Sequence, residues 1–146
     1  MKISEHISYR EATFSAIAIR KGLFNTPNDE QLLNMELLAD AIFEPLRLGL
    51  GGNPININSF FRRAELNSLI GGSKNSQHLC NNGAAMDLDS DNNKEIFDYI
   101  HDNLVFDQLI WEYGDNDNPA WVHVSYHKDN NRQQSLRCVN GNYYST

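Results

Sequence analysis

The chain has 146 residues and carries 12 Lys and Arg against 19 Asp and Glu, a formal net charge of −7. That length suits one domain over residues 1–146, with room for one sizeable core. The charge excludes a nucleic-acid binder, since no basic run beyond Arg20-Lys21 and Arg62-Arg63 could neutralise phosphates, and it offers no handle on an anionic membrane.

Met1 to His6 lack the apolar core of a signal peptide, so the chain is expected to be made in the cytoplasm and to reach any target outside by another route. No apolar run approaches the length of a membrane span. Ser8-Tyr9-Arg10-Glu11 predicts a capping box, opening a helix to about Arg20 with Ala12, Ser15, Ala16 and Ile19 on one stripe. Gly22 ends it. Thr26-Pro27 predicts the start of a second helix, with Thr26 as N-cap and Pro27 at the first helical position. Asp29 and Glu30 suit the positive end of its dipole. Leu33, Leu37, Leu38, Ala41, Ile42 and Leu46 form an apolar face, and Pro45 is expected to kink or end the helix.

Gly49, Gly51, Gly52 and Pro54 mark a break. Ile55-Asn56-Ile57-Asn58 alternates with period two and predicts a short strand, followed by a short helix from about Ala64 to Ile70. Ser73 to Asn82 is a loop rich in Ser and Asn, where a histidine such as His78 invites a functional explanation. Ala84 to Leu88 predicts a strand with Ala85, Asp87 and Asp89 on one face and Met86 and Leu88 on the other. A helix from roughly Asn92 to Asp102 should turn Ile96, Phe97 and Ile100 inward. Phe106 to Glu112 and Ala120 to Tyr126 predict two further strands. Paired antiparallel, they would place Leu109, Trp111, Val122 and Val124 on an apolar face. Glu112, Trp121, His123 and Ser125 then share the other face, with Glu112 near His123 by direct or diagonal proximity. Gln133 to Tyr144 predicts a hairpin turning at Asn140-Gly141.

The chemistry gathers in Ser76 to Asp87 and in Pro119 to Ser125, which offer two imidazoles and a carboxylate. Three N/O ligands and a water make up a catalytic zinc centre, whereas a structural site would be closed, usually by several cysteines. The chain has no Cys-x-x-Cys pair; its two cysteines, Cys80 and Cys138, allow at most one disulfide and suit a reducing compartment. On the residues alone, the alternative is that His78 and His123 are ordinary surface or core histidines.

Ile57-Asn58-Ser59-Phe60-Phe61-Arg62, Asn67, Gly71-Gly72-Ser73, Ser76-Gln77-His78, Gly83-Ala84-Ala85-Met86-Asp87 and Trp121-Val122-His123-Val124-Ser125 together resemble a known set. It is that of the zinc D-Ala-D-Ala carboxypeptidases and L-alanyl-D-glutamate endopeptidases, which cut the peptide stems of bacterial walls and include small phage and prophage proteins. The resemblance runs from Ile55 to Tyr126, and the Asn25-Thr26-Pro27 turn looks like the lead-in of small members. It implies an α+β fold of the hedgehog/D-Ala-D-Ala peptidase kind: a small antiparallel sheet bears the metal site, with helices packed on the other face. It also implies Zn²⁺ as cofactor, a peptidoglycan stem peptide as substrate, and His78, Asp87 and His123 as ligands. Arg62 falls where the family has an arginine suited to a developing oxyanion; the alternative is a solvated Arg62-Arg63 face. Ser76 and Gln77 are assigned either to substrate or to holding the loop, and Trp121 to substrate binding.

Two departures stand out. The Cys80-Asn81-Asn82 stretch makes the loop between His78 and Asp87 about two residues longer than the family's usual spacing. That costs little, since even a doubling of loop length adds only ~0.6 kcal/mol. Cys80 within it is an alternative fourth ligand, disfavoured because it would close the water site. Three residues before His123, where several members carry an acid, this chain has Ala120. The general base is therefore expected to be Glu112, with Asp115 and Asp117 on the neighbouring loop as lesser candidates. Ala120 also sustains a second reading, a catalytically inactive wall-binding or structural module on the same zinc fold. Whether a terminal D-Ala or an L-Ala-D-Glu bond would be cut is open at this level.

Overall fold

The computed structural model describes residues 1–146. A two-stranded ribbon, β1 (Lys2–Ser4) and β2 (Ile7–Ser8), leads into α1 (Tyr9–Thr13). Ser8 caps α1 by accepting from the Glu11 amide at 3.0 Å. The single helix expected as far as Arg20 is in fact two. Ser15 accepts from the Ala18 amide at 3.2 Å and starts α2 (Ala16–Lys21), so the chain turns between them. That turn takes Ile19 off the expected inner stripe and leaves it 69% exposed, while Ala12 and Ala18 face inward.

The next helix, α3 (Asp29–Leu38), is capped by Asn28 and not by Thr26. Asn28 Oδ1 accepts from the Gln31 amide at 2.8 Å, and Gln31 Oε1 accepts from the Asn28 amide at 2.9 Å. This reciprocal pair satisfies two orphan amides that a cap at Thr26 would have left open. The register it sets exposes Leu33 and buries Met35 and Leu38. Pro45 does not end the helical run. The backbone widens to a π-turn at Ala39–Phe43 and continues as α4 (Glu44–Gly49), so the missing Pro45 amide is absorbed in a locally looser ladder.

Six further strands form one sheet: β3 (Asn56–Ser59), β4 (Ala84–Asp89), β5 (Gln108–Glu112), β6 (Trp121–Tyr126), β7 (Gln134–Val139) and β8 (Asn142–Ser145). Their order is β3-β4-β6-β5-β7-β8. This is not the small antiparallel sheet expected from the sequence. The sheet is larger and mixed, because β5 and β7 run parallel. The cause is topological: β6 already has β4 on one side and β5 on the other, so the next strand takes the free edge of β5. Reversing once after β6, it runs in the direction of β5. Asn140 and Gly141, both at positive φ, close the β7–β8 hairpin as expected.

Two short helices complete the chain, α5 (Ala64–Leu69) and α6 (Asn93–Asn103). Met35, Leu38, Ile42 and Leu46 meet Ile96 and Ile100 of α6 over one sheet face, made by Met86, Leu88, Leu109, Trp111, Val122 and Val124. Each such fully buried side chain contributes roughly 1.5–3 kcal/mol. α3, α4 and α6 thus pack on one side of the sheet, and strand alternation sends Asp87, His123 and Glu112 to the other. No helix is long and apolar enough to cross a membrane.

Candidate metal centre

Asp87 of β4 pairs directly with His123 of β6, which in turn pairs with Ile110 of β5. A central position in the sheet fixes both backbones, so a carboxylate and an imidazole stand side by side, His123 Nδ1 lying 3.0 Å from Asp87 Oδ1. His78 arrives from outside the sheet on a short 3₁₀ turn, Gln77–Leu79. Ser76 starts that turn by accepting from the His78 amide at 3.2 Å, and Cys80 ends it at φ 58°. His78 Nε2 comes within 3.4 Å of Asp87 Oδ2, and the two imidazole rings are 5.2 Å apart. The ligand atoms of His78, Asp87 and His123 all lie within 4.8 Å of one another.

His78 is buried, and its Nδ1 is 2.8 Å from the Phe60 carbonyl. A carbonyl only accepts, so Nδ1 carries the hydrogen and the Nε2 lone pair points into the site. That Nε2 is buried and has no hydrogen-bond partner. An orphaned lone pair is costly in a folded interior, and a cation would satisfy it. The Phe60 carbonyl behind the ring is the kind of support that orients a metal-binding histidine. The residues present therefore fit a divalent ion of zinc's donor preferences, and coordination would replace the His123–Asp87 hydrogen bond.

Burial holds His78 below the usual imidazole range, opposed by the Asp87 charge, so the ring is neutral near pH 7, as a ligand must be. Burial acts against the Asp87 charge, but the neighbouring His78 and His123 imidazoles, with the hydrogen bond from His123, outweigh it and hold the carboxyl well below its ordinary value.

Chain segments far apart in sequence tie this centre together. The Arg62 amide donates to the His78 carbonyl at 2.8 Å. Asn25 fixes the same segment from the opening helices: its Nδ2 donates to the carbonyls of Thr13 and Phe61, and its Oδ1 accepts from the Arg63 amide. The longer loop after His78 is pinned too. Asn34 donates to the Cys80 carbonyl at 2.8 Å, Gln31 to Asn81 at 3.0 Å, and Gln77 to the Asn82 carbonyl at 3.1 Å. Gly83 closes the loop at φ 75°, where an added Cβ would sit 2.5 Å from the Tyr126 carbonyl. Cys80 is not aimed at the centre. It packs in the apolar core, where burial pushes its thiol up to about 12, and both cysteines are free.

The centre opens into a cleft of about 1180 Å³ lined also by Arg62, Ser76, Gln77, Glu112 and Trp121. Glu112 is 8% exposed; it pairs directly with Trp121, so its proximity to His123 is the diagonal one. Burial raises its pKa, opposed by His123 and reinforced by the Asp87 charge. Asp115 and Asp117 do not line the cleft. Asp115 instead accepts from the amides of Asp117 and Asn118 within its own loop. Ala120 is exposed on that loop. Trp121 stands with its ring 5.5 Å from that of Tyr113.

Arg62 is partly buried, and its Nη1 donates to Asn67 Oδ1 at 3.2 Å while its Nε has no partner. Burial lowers its pKa, opposed by Asp87, and the guanidinium remains a cation. Sequence reasoning gave Asn67 no role. It is buried, holds Arg62 and donates to the Ser73 carbonyl at 2.8 Å. The signal for it was Gly72, where a Cβ would run into Asn67 and come within 3.1 Å of Arg62. Also missed was Asp107, which accepts from Gln77 Nε2 at 2.9 Å and is clamped by Arg132 from the loop before β7. Residues 107 and 132 share no local motif, so only the fold brings them together.

A second group, Glu5, His6 and Glu44, also brings three possible ligand atoms within 4.8 Å, but on the surface. Glu44 already accepts from Ser4 at 2.7 Å and from the His6 amide and ring.

Comparison with known families matches residues 5–125 to the family described as Peptidase M15. No curated protein matches the chain.

Proposed function

Because the chain belongs to the Peptidase M15 family and is thus a peptidase, we propose that it hydrolyses peptide bonds in the stem peptides of peptidoglycan, with zinc held by His78, Asp87 and His123. The observation that carries this reading is the buried, unpartnered Nε2 of His78 facing Asp87 and His123. Zinc bound there would lower the pKa of a water toward ~7 and polarise the scissile carbonyl.

Glu112 is the residue of the cleft best suited to take the attacking water's proton and return it to the leaving amine. Its raised pKa makes it a stronger base than a solvated glutamate while leaving it able to give the proton back. Arg62, held by Asn67, faces the developing negative charge of the carbonyl oxygen as a fixed cation, which needs no reorganisation during the reaction. Trp121 and Gln77 line the approach for substrate, and Ser76 acts on the His78 turn through its hydroxyl. On this reading the protein acts at the cell wall.

The competing reading, a non-hydrolytic module, rested on Ala120. A buried carboxylate on the adjacent strand, Glu112, supplies the function that position would have served. The test is digestion of purified peptidoglycan with mass analysis of the fragments. Chelator-sensitive release of stem peptides or terminal D-Ala is expected, and the fragment masses identify the bond. Intact peptidoglycan in the presence of added zinc would overturn the proposal.

A further inference from the structure

Residues after 125 lie outside the matched family segment, yet several of them line the cleft. Parallel pairing sets Leu136 of β7 beside Ile110, so the row Asp87–His123–Ile110 continues without a break to Leu136. With strands ~4.8 Å apart, Leu136 lies about 10 Å from His123 across the sheet, and an extended peptide advancing ~3.3 Å per residue would lay about three residues over that floor. Ile110 is buried, Leu136 is half-buried, and Tyr143 of β8 stands beside them on the cleft wall.

Arg132 lines the same cleft, beside Asp107 just before β5. Its Nε and Nη2 donate to Asp107 Oδ1 and Oδ2 at 2.8 and 2.9 Å, and its amide donates to Oδ1 at 3.0 Å. Gln77 fills the remaining side of the carboxylate, so four donors saturate the buried Asp107. A guanidinium has five N–H donors, and Asp107 engages two; the other three belong to a side chain that is 52% exposed and lines the cleft. The fork to Asp107 fixes the guanidinium plane, so a second carboxylate could dock with little further loss of side-chain freedom. In a chain of net charge −7, such a fixed local cation is what would hold an anionic peptide.

We propose that Arg132, braced by Asp107, and the Ile110–Leu136 floor form a subsite that takes a carboxylate of the substrate away from its scissile bond. This rests on the peptidase reading above and deepens it: the preferred substrate is an acidic stem peptide bound over several residues. The residue that reads the acid comes from the part of the chain outside the family match.

The experiment measures binding without turnover, in full-length zinc-supplemented protein carrying Glu112→Gln. The probes are a soluble stem pentapeptide, L-Ala-γ-D-Glu-L-Lys-D-Ala-D-Ala, and two versions in which the D-Glu or the terminal carboxylate is replaced by a carboxamide. One replacement is expected to weaken binding about 10- to 100-fold, as for the loss of a charge-assisted hydrogen-bonded pair. Adding Arg132→Gln should bring the parent peptide down to the affinity of that carboxamide. Arg132→Lys, which keeps the charge but loses the fork, should fall between. Equal affinity for all three peptides overturns the subsite, even if Arg132→Gln fails to fold. So does a carboxamide penalty that survives in Arg132→Gln. Carboxylate discrimination without hydrolysis by the unmutated protein would instead refute the hydrolase reading and leave the subsite standing.

Discussion

Two groups of three ligand-type side chains lie in this molecule, one at the sheet centre and one on the surface, and distance alone does not separate them. His78, Asp87 and His123 come from two paired strands and a hydrogen-bonded turn, and a buried imidazole nitrogen among them lacks a partner. Glu5, His6 and Glu44 sit where water reaches them, and Glu44 is already occupied by Ser4 and His6. Proximity of donors is cheap at a surface, where water can solvate each group. In the interior it is costly unless something completes the coordination.

The widest separation between the two groups should appear in activity. His78→Ala, Asp87→Ala and His123→Ala are each expected to abolish hydrolysis of peptidoglycan, whereas His6→Ala should leave it within twofold. Comparable losses at the two groups, in variants that remain folded, would break the distinction. Glu112→Gln sharpens it from within the cleft. A drop of about 10²–10⁴ in kcat, with zinc still bound, is expected for loss of a general acid–base. An unchanged kcat would move the base elsewhere.

The smallest expected effect lies in the Asp107–Arg132 clamp and reads out as pH-dependent stability. Asp107 is held down to about 2, first by its hydrogen bonds from Arg132 and then by that of Gln77, with burial opposing them. A carboxyl depressed in the folded state contributes stability that is present above its unfolded pKa of ~3.9 and is lost as pH falls through about 2. Discounted for the half-exposed Arg132, the contribution near neutral pH is ~1–2 kcal/mol. Urea unfolding of Asp107→Asn should show that deficit at neutral pH, and the gap to the unmutated chain should narrow as pH falls from about 4 toward 2. A constant gap would mean that the clamp's charge does not matter.

Local chemistry made much of this molecule readable from its residues. Alternation along Ala84–Leu88 and across Leu109, Trp111, Val122 and Val124 separated core from cleft, and Asn140-Gly141 marked the last turn. The errors came where two local signals competed. Ser15 outweighed a continuing helix, and the Asn28–Gln31 pair outweighed Thr26-Pro27. What no local signal carried was topology. The parallel placement of β7 follows from which sheet edge was free, and with it came Leu136, Tyr143 and the Arg132 loop at the cleft. The same holds for Asp107, whose partners Gln77 and Arg132 are set by the fold. The residues proposed for metal, base and oxyanion line one cleft; a family resemblance pointed to His78, Asp87, His123 and Arg62, and strand alternation to Glu112.

The proposed chemistry depends first on the metal. Bound zinc per chain should be measured after exhaustive dialysis, in the unmutated protein and in His78→Ala, Asp87→Ala, His123→Ala and His6→Ala. One equivalent in the unmutated protein and in His6→Ala, with none in the three sheet-centre variants, is the predicted result. Full zinc retention in all three of those variants, or no zinc in the unmutated protein after incubation with the metal, would contradict it.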